Sequence, residues 1–500
     1  MRRICLWMAI ILADSFSSPA QDLYKEHYRP QIHFSPREHW MNDPNGLVFF
    51  DGTYHLFFQY YPDSTVWGPM HWGHAISRDL MHWTQLPIAL YPDTLGYIFS
   101  GSVVVDSSNT SGLGKDGQIP LVAIFTQHDP VGEKQQNALF QNESIAYSLD
   151  KGMTWKKYPG NPVLRTPGLK DFRDPKLSWY PEEKKWIMTL AAGDRIMFFS
   201  SKNLKSWKKE SEFGQGLGAH GGIWECPDLL HFSIGGKKIW LLIVNMNPGG
   251  IQGGSGTQYF VGNFDGKDFK CRDTVTKWAD YGPDDYAGIT WSNTGNKKIF
   301  LGWMSNWQYA QRVPTQKWRS AMTIPRLLNL KKIHGRYFTT MIPVPSLERL
   351  TRKTQRFEKI SSEKEFTLSG PTRIDFKISG LKTFSIQFSN PEGQKLRIGY
   401  DQDKKSYYID RTLAGRSDFD PHFAVTHYGP RIADIENASF TVVLDNASIE
   451  LFADEGLTTM TEIFFPDSPF NIMHMSTAAG AAFRSLMIRT LQSVWGKNQK

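Results

Sequence analysis

Cysteine is scarce in this 500-residue chain, which contains three. Cys5 lies in an N-terminal stretch that is expected to be removed, so Cys226 and Cys271 would remain, and the sequence assigns neither of them a role. This low number excludes a small fold held together by disulfides. Histidine and cysteine at the spacings of metal ligands are also missing, and His71 and His74 are interpreted as packing or surface residues. We therefore expect no metal site and no cofactor.

Apolar runs long enough to cross a membrane are missing as well. Residues 1–20 begin with a methionine and two arginines, continue with ten apolar residues over 4–13, and end in small residues. Ten residues are about half of what a membrane-spanning helix needs, and the pattern is typical of a secretory signal peptide. The sequence therefore predicts a secreted or periplasmic protein without a membrane span.

Features of nucleic-acid binding are absent, although the net charge is +8. Lysine and arginine are spread along the chain apart from a denser run over 349–364, and no basic stripe interleaved with aromatics occurs. The charge is interpreted as a contribution to solubility or as weak attraction to an anionic surface, so no nucleic-acid partner is expected. The oligomeric state stays open.

Long amphipathic helical patterns are also lacking, and short apolar segments separated by Gly, Asp, Asn and Pro take their place. This pattern predicts an all-β protein. A degenerate repeat begins at Ser77, Ser148 and Ser201, each followed by an acid or amide and then by a tryptophan. Its spacing of about 50–70 residues favours a β-propeller with about five blades over 28–345, although a sandwich or jelly roll could use the same turns.

The proline-rich stretch 342–346 ends this pattern, and the alternation of apolar and polar residues becomes cleaner from about 356 to 494. Such alternation predicts antiparallel strands, and a second domain built as a β-sandwich fits it best. The second domain contains no acid cluster like the one described below, so its expected role is structural.

The heptapeptide 40–46, Trp-Met-Asn-Asp-Pro-Asn-Gly, combines an acid with turn chemistry and is followed at once by a strand. Proline suits the first residue of a strand, so Asp43 should lie where the chain enters a sheet, unless it only caps a turn. Asp174 again precedes a proline, and Glu225 is separated from one by a single residue. If the three acids begin different blades, they would meet at one mouth of the propeller.

Paired carboxylates, one ionised and one kept protonated, are the apparatus of glycoside hydrolysis. Arg173 beside Asp174 would keep that acid ionised by charge proximity. Glu225 lies between Trp224 and Cys226, and these less polar neighbours would raise its pKa enough for it to donate a proton.

The blocks 40–46, 99–102, 173–175 and 225–227 resemble the signature blocks of glycoside hydrolase family 32, in the same order, over about 28–490. That family contains invertases, inulinases and levanases. The resemblance implies a five-bladed β-propeller followed by a β-sandwich, and retaining hydrolysis of β-fructofuranosides such as fructans or sucrose. It further implies that Asp43 is the nucleophile, Glu225 the general acid and base, and Asp174 the residue that stabilises the transition state. Positions matching the fructosyl pocket of that family are Asn42, Gln59, Trp67, Phe99, Ser100 and Arg173.

The glycine-rich stretch 247–260 and the stretch 302–309 look more like exo-levanases and exo-inulinases than like plant invertases. Glycines let the backbone approach a ligand and leave room beside it. Trp303 is expected to offer a stacking platform to a sugar, and Trp307 is either a rim residue or part of a blade core. The resulting expectation is an exo-acting enzyme that releases fructose. An invertase, an endo-levanase, a fructosyltransferase and a non-catalytic carbohydrate-binding propeller are the alternatives.

Overall fold

The computed structural model describes residues 23–271, 273–360, 363–433 and 435–495. The predicted signal peptide, residues 1–20, lies outside these ranges. Within them, α-helix is limited to α1 (Pro130–Lys134), and 3-10 turns occupy Pro181–Glu183 and Pro345–Leu350. No helix in this part of the chain combines the length and the apolar character that crossing a membrane requires. Strands form nearly all the remaining regular structure, so the all-β prediction is confirmed.

Five sheets, called blades I to V, follow one another along the chain. Blade I contains β1 (His39–Phe50), β2 (Thr53–Tyr61), β3 (His71–Ser77) and β4 (Thr84–Leu90). Blade II contains β5 (Tyr97–Val105), β6 (Leu121–His128), β7 (Gln141–Ser148), β8 (Lys156–Lys157) and β9 (Leu164–Arg165). Blade III contains β10 (Phe172–Tyr180), β11 (Lys185–Ala192), β12 (Ile196–Ser201) and β13 (Lys208–Phe213). Blade IV contains β14 (Ile223–Ile234), β15 (Lys237–Asn247), β16 (Gly256–Phe264), β17 (Phe269–Cys271) and β18 (Lys277–Trp278). Blade V begins with β19 (Tyr286–Thr290) and β20 (Lys298–Met304), and after β21 (Trp318–Arg319) it gains β22 (Ala321–Met322), β23 (Arg326–Ile333) and β24 (Arg336–Pro343).

The five blades close into a ring. The first strands of successive blades, β1, β5, β10, β14 and β19, contact one another in turn, and β19 contacts β1. Strand β21 leaves blade V and pairs in parallel with β1, with His39 opposite Trp318. This pairing joins the last blade to the first, so the sheets form a closed five-bladed propeller with no free inner edge.

The predicted repeat forms the hairpin turn expected of it. The Ser77 hydroxyl accepts the N–H groups of Asp79 and Leu80, and the indole of Trp83 donates to the Leu80 carbonyl at 3.1 Å. Trp155 makes the equivalent bond to Gly152 at 2.9 Å. In these two copies the tryptophan therefore packs beneath its own turn and closes the hairpin, whereas the indole N–H of Trp207 in the third copy has no hydrogen-bond partner among the described residues.

Every innermost strand carries a β-bulge near the end at which it enters the sheet. Near these ends the regular pairing is interrupted between Met41 and Pro44, Ile98 and Gly101, Arg173 and Lys176, Glu225 and Asp228, and Tyr286 and Ile289, and β1 has a further interruption between Asn45 and Val48. A bulge inserts an unpaired residue and turns its side chain away from the regular alternation. The prolines explain three of these bulges, because a proline has no N–H to offer to the ladder. The bulged ends of blades I to IV bring side chains to one mouth of the propeller.

The second domain consists of two six-stranded antiparallel sheets packed face to face. One sheet has the order β25 (Thr351–Ile360), β36 (Ala482–Leu491), β27 (Thr372–Ser379), β32 (Ala438–Leu444), β33 (Ser448–Ala453) and β34 (Thr458–Ile463). The other has the order β26 (Lys364–Thr367), β35 (Ile472–Thr477), β28 (Phe384–Ser389), β29 (Lys395–Asp401), β30 (Ser406–Leu413) and β31 (Thr426–Pro430). The propeller followed by a β-sandwich is therefore confirmed. We propose that the domain boundary lies in the turn Pro345–Leu350, with the first sandwich strand beginning at Thr351.

A buried charge network joins the two domains. Arg326 of blade V is fully buried and contacts Asp280, Asp285 and, at 2.5 Å, Glu450 of the sandwich. His33, in the segment before β1, lies between Asp445 and Glu450 at 2.8 Å from each. Carboxylates of the sandwich thus serve as counter-ions for Arg326 and His33, which are buried outside the sandwich.

Candidate active site

The bulged strand ends surround a cavity of about 270 Å³. It contains the three acids predicted from the sequence and all but one of the other predicted site residues. The predicted residues that line it are Asn42, Asp43, Gln59, Trp67, Phe99, Ser100, Arg173, Asp174 and Glu225. The sequence did not single out His128, Glu133, Gln141, Asp171 and Gln311, which line it as well.

Asp43 is held by a short chain of hydrogen bonds from its own block. The Trp40 indole donates to Asn42 Oδ1 at 2.7 Å, and Asn42 Nδ2 donates to Asp43 Oδ1 at 2.9 Å. The Ser100 hydroxyl donates to Asp43 Oδ2 at 2.6 Å. Burial, and then the negative charge of Glu225, raise the pKa of Asp43 against these donors. The carboxyl is therefore fixed in orientation by Asn42 on one oxygen and by Ser100 and the Cys226 thiol on the other.

Asp174 occupies the left-handed region, with φ of 64°, inside the bulge of β10. The Cys226 N–H donates to its Oδ2 at 3.0 Å. The expectation that Arg173 keeps this acid ionised is wrong. Burial raises the pKa of Asp174 to about 7, because Arg173 opposes burial only in part and the charges of Glu225 and Asp43 add to it.

The guanidinium of Arg173, which the sequence pairs with Asp174, forms hydrogen bonds with Glu225 instead. Arg173 Nη2 and Nε donate to Glu225 Oε1 at 3.0 and 3.3 Å, and Arg173 Nη1 bonds Asp171 at 2.5 Å. The Tyr286 hydroxyl donates to Glu225 Oε2. The expected apolar surroundings of this acid are therefore wrong, because Arg173 from blade III and Tyr286 from blade V bond its carboxylate.

The thiol of Cys226 lies between two of the acids. Its Sγ is 3.6 Å from Asp43 Oδ2 and 3.7 Å from Asp174 Oδ2. Burial, and then the neighbouring carboxylates, raise the pKa of Cys226 well above its ordinary value, so it stays a neutral thiol. Cys226 therefore separates the two negative groups without adding a charge of its own.

The three predicted acids and the guanidinium of Arg173 thus share one small site, which Glu133 and Asp171 also line. Because like charges at this distance disfavour full ionisation, the cluster tends to retain a proton at neutral pH. A site that holds one ionised carboxylate beside a retained proton can supply both a nucleophile and an acid.

Trp303 is the predicted site residue that the structure places elsewhere. It is fully buried, with its ring 6.1 Å from Trp40 and 5.0 Å from Trp307 between ring centres. It therefore cannot stack on a sugar, because its side chain is fully buried and does not line the cavity. Trp307, four residues later, lines the cavity instead. A strand residue and a residue just beyond the strand have different surroundings, and their spacing alone does not show which one reaches the cavity.

The glycine-rich stretch has a different role from the expected one. It does not line the cavity. Ser255 donates its N–H to Asn306 Oδ1 at 3.2 Å, and its hydroxyl accepts the Trp307 N–H at 3.1 Å. A side chain at Gly254 would come within 2.2 Å of Asn306 Oδ1. The glycines therefore allow this stretch to pack closely behind the loop that carries Trp307.

One wall of the cavity comes from the connection between β6 and β7. The His128 ring stacks on Phe99, with ring centres 4.2 Å apart, and its Nε2 lies 3.1 Å from Glu133 on α1. Gln141 Nε2 lies 3.3 Å from His128 Nδ1. These residues have no distinctive spacing, so sequence patterns could not have indicated them.

A closed propeller with three carboxyls in one mouth defines a glycoside hydrolase of the two-carboxylate type. Comparison with known proteins agrees with this class. Residues 33–340 match the glycosyl hydrolases family 32 N-terminal domain, and residues 346–490 match the family 32 C-terminal domain. The chain therefore belongs to glycosyl hydrolases family 32, and it is a glycosidase.

Relatives in this family are similar along most of their length. A levanase from Bacillus subtilis (strain 168) is 44% identical, across 99% of this chain and 75% of the relative. An extracellular exo-inulinase from Aspergillus awamori is 40% identical, across 89% of this chain and 91% of the relative. The crystal structure of exo-inulinase from that fungus superposes with a TM-score of 0.87 at 37% identity, covering 94% of this chain and all of the other.

Proposed function

We propose that this glycosidase releases fructose from the non-reducing ends of β-fructans such as levan and inulin, and from sucrose. The observation that carries the proposal is the shape of the cavity. All five blades contribute to its wall, through residues such as Gln59, Gln141, Arg173, Glu225 and Trp307. A pocket that is walled by all five blades and open at the mouth of the propeller admits the end of a chain more readily than its middle. The names of the levanase and exo-inulinase relatives support a fructan as the chain.

In the proposed first step, an oxygen of Asp43 attacks the anomeric carbon of the terminal fructosyl unit, and the glycosidic bond breaks as the new bond forms. Glu225 gives its proton to the departing oxygen, so the leaving group departs as a neutral alcohol. Arg173 and Tyr286 hold the Glu225 carboxyl in place, and both stabilise the carboxylate that remains.

In the proposed second step, Glu225 takes a proton from a water molecule, and that water releases fructose from Asp43. Two inversions at one carbon give net retention. Asp174 is assigned hydrogen bonds to hydroxyls of the fructosyl unit that strengthen in the transition state. Retaining chemistry requires Asp43 and Glu225 to stand about 5–5.5 Å apart in the complex.

The remaining predicted residues are assigned to substrate binding. Asn42, Gln59 and Ser100 offer hydrogen bonds, and Trp67 with Phe99 forms an aromatic corner, with ring centres 6.1 Å apart. Trp67 retains 37% of its accessible surface, so its ring is available to a sugar. Trp307 takes the stacking role expected of Trp303. We further propose secretion as the setting, since the exo-inulinase relative is named as extracellular and the N-terminal stretch is typical of a signal peptide.

The test is a time course of the purified protein on levan, inulin and sucrose, with chromatography of early products. Fructose as the sole early product from both polymers, together with cleavage of sucrose, is expected. Early oligosaccharides would indicate an endo enzyme, and sucrose cleavage without release from polymers would indicate an invertase. Fructosyl transfer to sucrose at high concentration would indicate a transferase. Absence of turnover on every fructoside would leave a carbohydrate-binding propeller.

A further inference from the structure

A fourth acid lies behind the cavity without lining it. Glu143 on β7 is fully buried, and the register of blade II places it directly opposite Thr126 on β6. Residues opposite each other on neighbouring strands have their side chains on the same face. The Thr126 hydroxyl donates to Glu143 Oε2 at 2.9 Å. The two side chains therefore form a fixed pair between blade II and β10 of blade III.

This pair reaches Asp174 through the backbone. The Asp174 N–H donates to Thr126 Oγ1 at 3.0 Å. That N–H belongs to the bulge between Arg173 and Lys176, where pairing with β11 is interrupted. A buried N–H that leaves a ladder needs another acceptor, and Thr126 supplies it. Because its single hydrogen is donated to Glu143, the hydroxyl turns a lone pair towards Asp174.

We propose that Glu143 is a positioning residue for Asp174, acting through the Thr126 hydroxyl to hold the bulge in its left-handed conformation. The Asp174 backbone has φ of 64°, which a residue with a Cβ keeps only when its surroundings impose it. The inference rests on the proposed function, because it concerns the acid assigned to the fructosyl hydroxyls.

The charge state of Glu143 suits this task. Burial, and then the charge of Asp174, raise its pKa well above the ordinary value, although the Thr126 hydroxyl lowers it. A neutral acid next to Asp174 orients Thr126 without repelling the catalytic carboxylate. Among the described residues, Glu143 Oε1 has no hydrogen-bond partner, so the connection to Thr126 is the one polar contact that fixes this side chain.

The experiment uses four single variants of the full chain, assayed for kcat/KM on sucrose. Thr126→Val and Glu143→Leu should each lower kcat/KM by about 10- to 100-fold, since a small displacement of a reacting group has effects of that size. Glu143→Gln keeps a neutral acceptor and should recover most of the activity. Thr189→Val is the matched control, because Thr189 is equally buried in blade III and its hydroxyl has no partner among the described residues.

A double-mutant cycle separates positioning from general loss of structure. In an Asp174→Ala background, assayed with β-fructofuranosyl fluoride, Thr126→Val should lower kcat/KM by less than about twofold. The carboxyl that Thr126 is proposed to position is absent from that background. Equal losses with and without Asp174, or a Thr126→Val variant as active as Thr189→Val, would overturn the inference.

A crystal structure of Thr126→Val is independent of activity. It should show the Asp174 carboxyl displaced from the Cys226 N–H, and an unchanged Asp174 would also overturn the inference. Wild-type protein that is inactive on all fructosides would instead contradict the proposed function.

Discussion

At the residue scale, the site depends on two acids, Asp43 and Asp174, whose pKa is raised by burial and by the charge of neighbouring carboxylates. Asp43 and Asp174 come from different blades, and burial raises the pKa of both. The sequence identified these acids and Glu225, because each stands beside or near a proline at a strand entrance. It could not give their partners: Arg173 is adjacent to Asp174 in sequence yet bonds Glu225, and Tyr286 lies 61 residues from Glu225. Charge partners are set by the meeting of blades, which local sequence does not encode.

The pKa of Asp174 predicts a stability effect of defined sign. Its value is about 7 in the folded protein against 3.8 ordinarily, so the folded state binds more protons between these values. The contribution of this proton binding to the free energy of unfolding is complete below pH 3.8 and is lost as the pH rises through 7. Asp174→Asn should therefore raise the free energy of unfolding more at pH 8 than at pH 4, by at least about 1 kcal/mol.

The measurement is denaturant unfolding at both pH values. The exposed Asp116→Asn serves as a matched control and should show the same change at both. An Asp174→Asn effect that does not depend on pH would mean that the folded protein does not hold this acid at a raised pKa.

At the element scale, the bulged strand ends and the loops beyond them determine which side chains are buried in the blade core and which line the cavity. The alternation of apolar and polar residues and the repeats were sufficient to predict the blades. The repeat beginning at Ser77 could be recognised because the serine hydroxyl bonds N–H groups of its own turn, so the signal is local. They were insufficient for Trp303, because β20 buries it while the loop after β20 brings Trp307 to the cavity. A residue near the end of a strand and a rim residue differ by a change in chain direction, and the sequence carries no clear signal for that change.

Substituting the two tryptophans should therefore have different effects, on substrate binding for Trp307 and on stability for Trp303. Trp307→Ala should raise KM on sucrose about tenfold or more through loss of stacking, with a small change in stability. Trp303→Ala should lower the free energy of unfolding by about 3–5 kcal/mol, since it leaves a large cavity in the core.

Steady-state kinetics and thermal unfolding of both proteins provide the check, each variant being the control for the other. A Trp307→Ala enzyme with unchanged KM would remove this residue from the binding site.

At the scale of the whole molecule, buried charges couple the two domains. Arg326 faces Asp280, Asp285 and Glu450, so its removal leaves Asp280 and Asp285 without this counter-ion, while Glu450 keeps only His33 among the described residues. Arg326→Met should lower the free energy of unfolding by about 3–5 kcal/mol. The matched control is Lys331→Met, which breaks the exposed pair with Glu455 and should cost less than about 1 kcal/mol. Similar losses for both variants in chemical denaturation would show that the network does not hold the domains together.

His33 adds a pH dependence to the same interface. Burial alone would lower its pKa, but hydrogen bonds and charges from Asp445 and Glu450 raise it from 6.5 to about 9. The contribution to stability is therefore complete below pH 6.5 and is lost as the pH rises through 9. Wild type should lose more stability between pH 6.5 and 9.5 than His33→Gln does. Parallel pH profiles in thermal unfolding would contradict a charged His33.

The central claim is the assignment of Asp43 as nucleophile and Glu225 as acid and base, and chemical rescue with azide tests it most directly. β-Fructofuranosyl fluoride is the donor, because fluoride departs with little help from an acid. Asp43→Ala should yield the α-fructosyl azide, since azide then attacks from the face that the missing carboxylate served. Glu225→Ala should yield the β-fructosyl azide, since the fructosyl group is first transferred to Asp43 and then displaced. The same anomer from both variants, or the two anomers exchanged, would contradict the account.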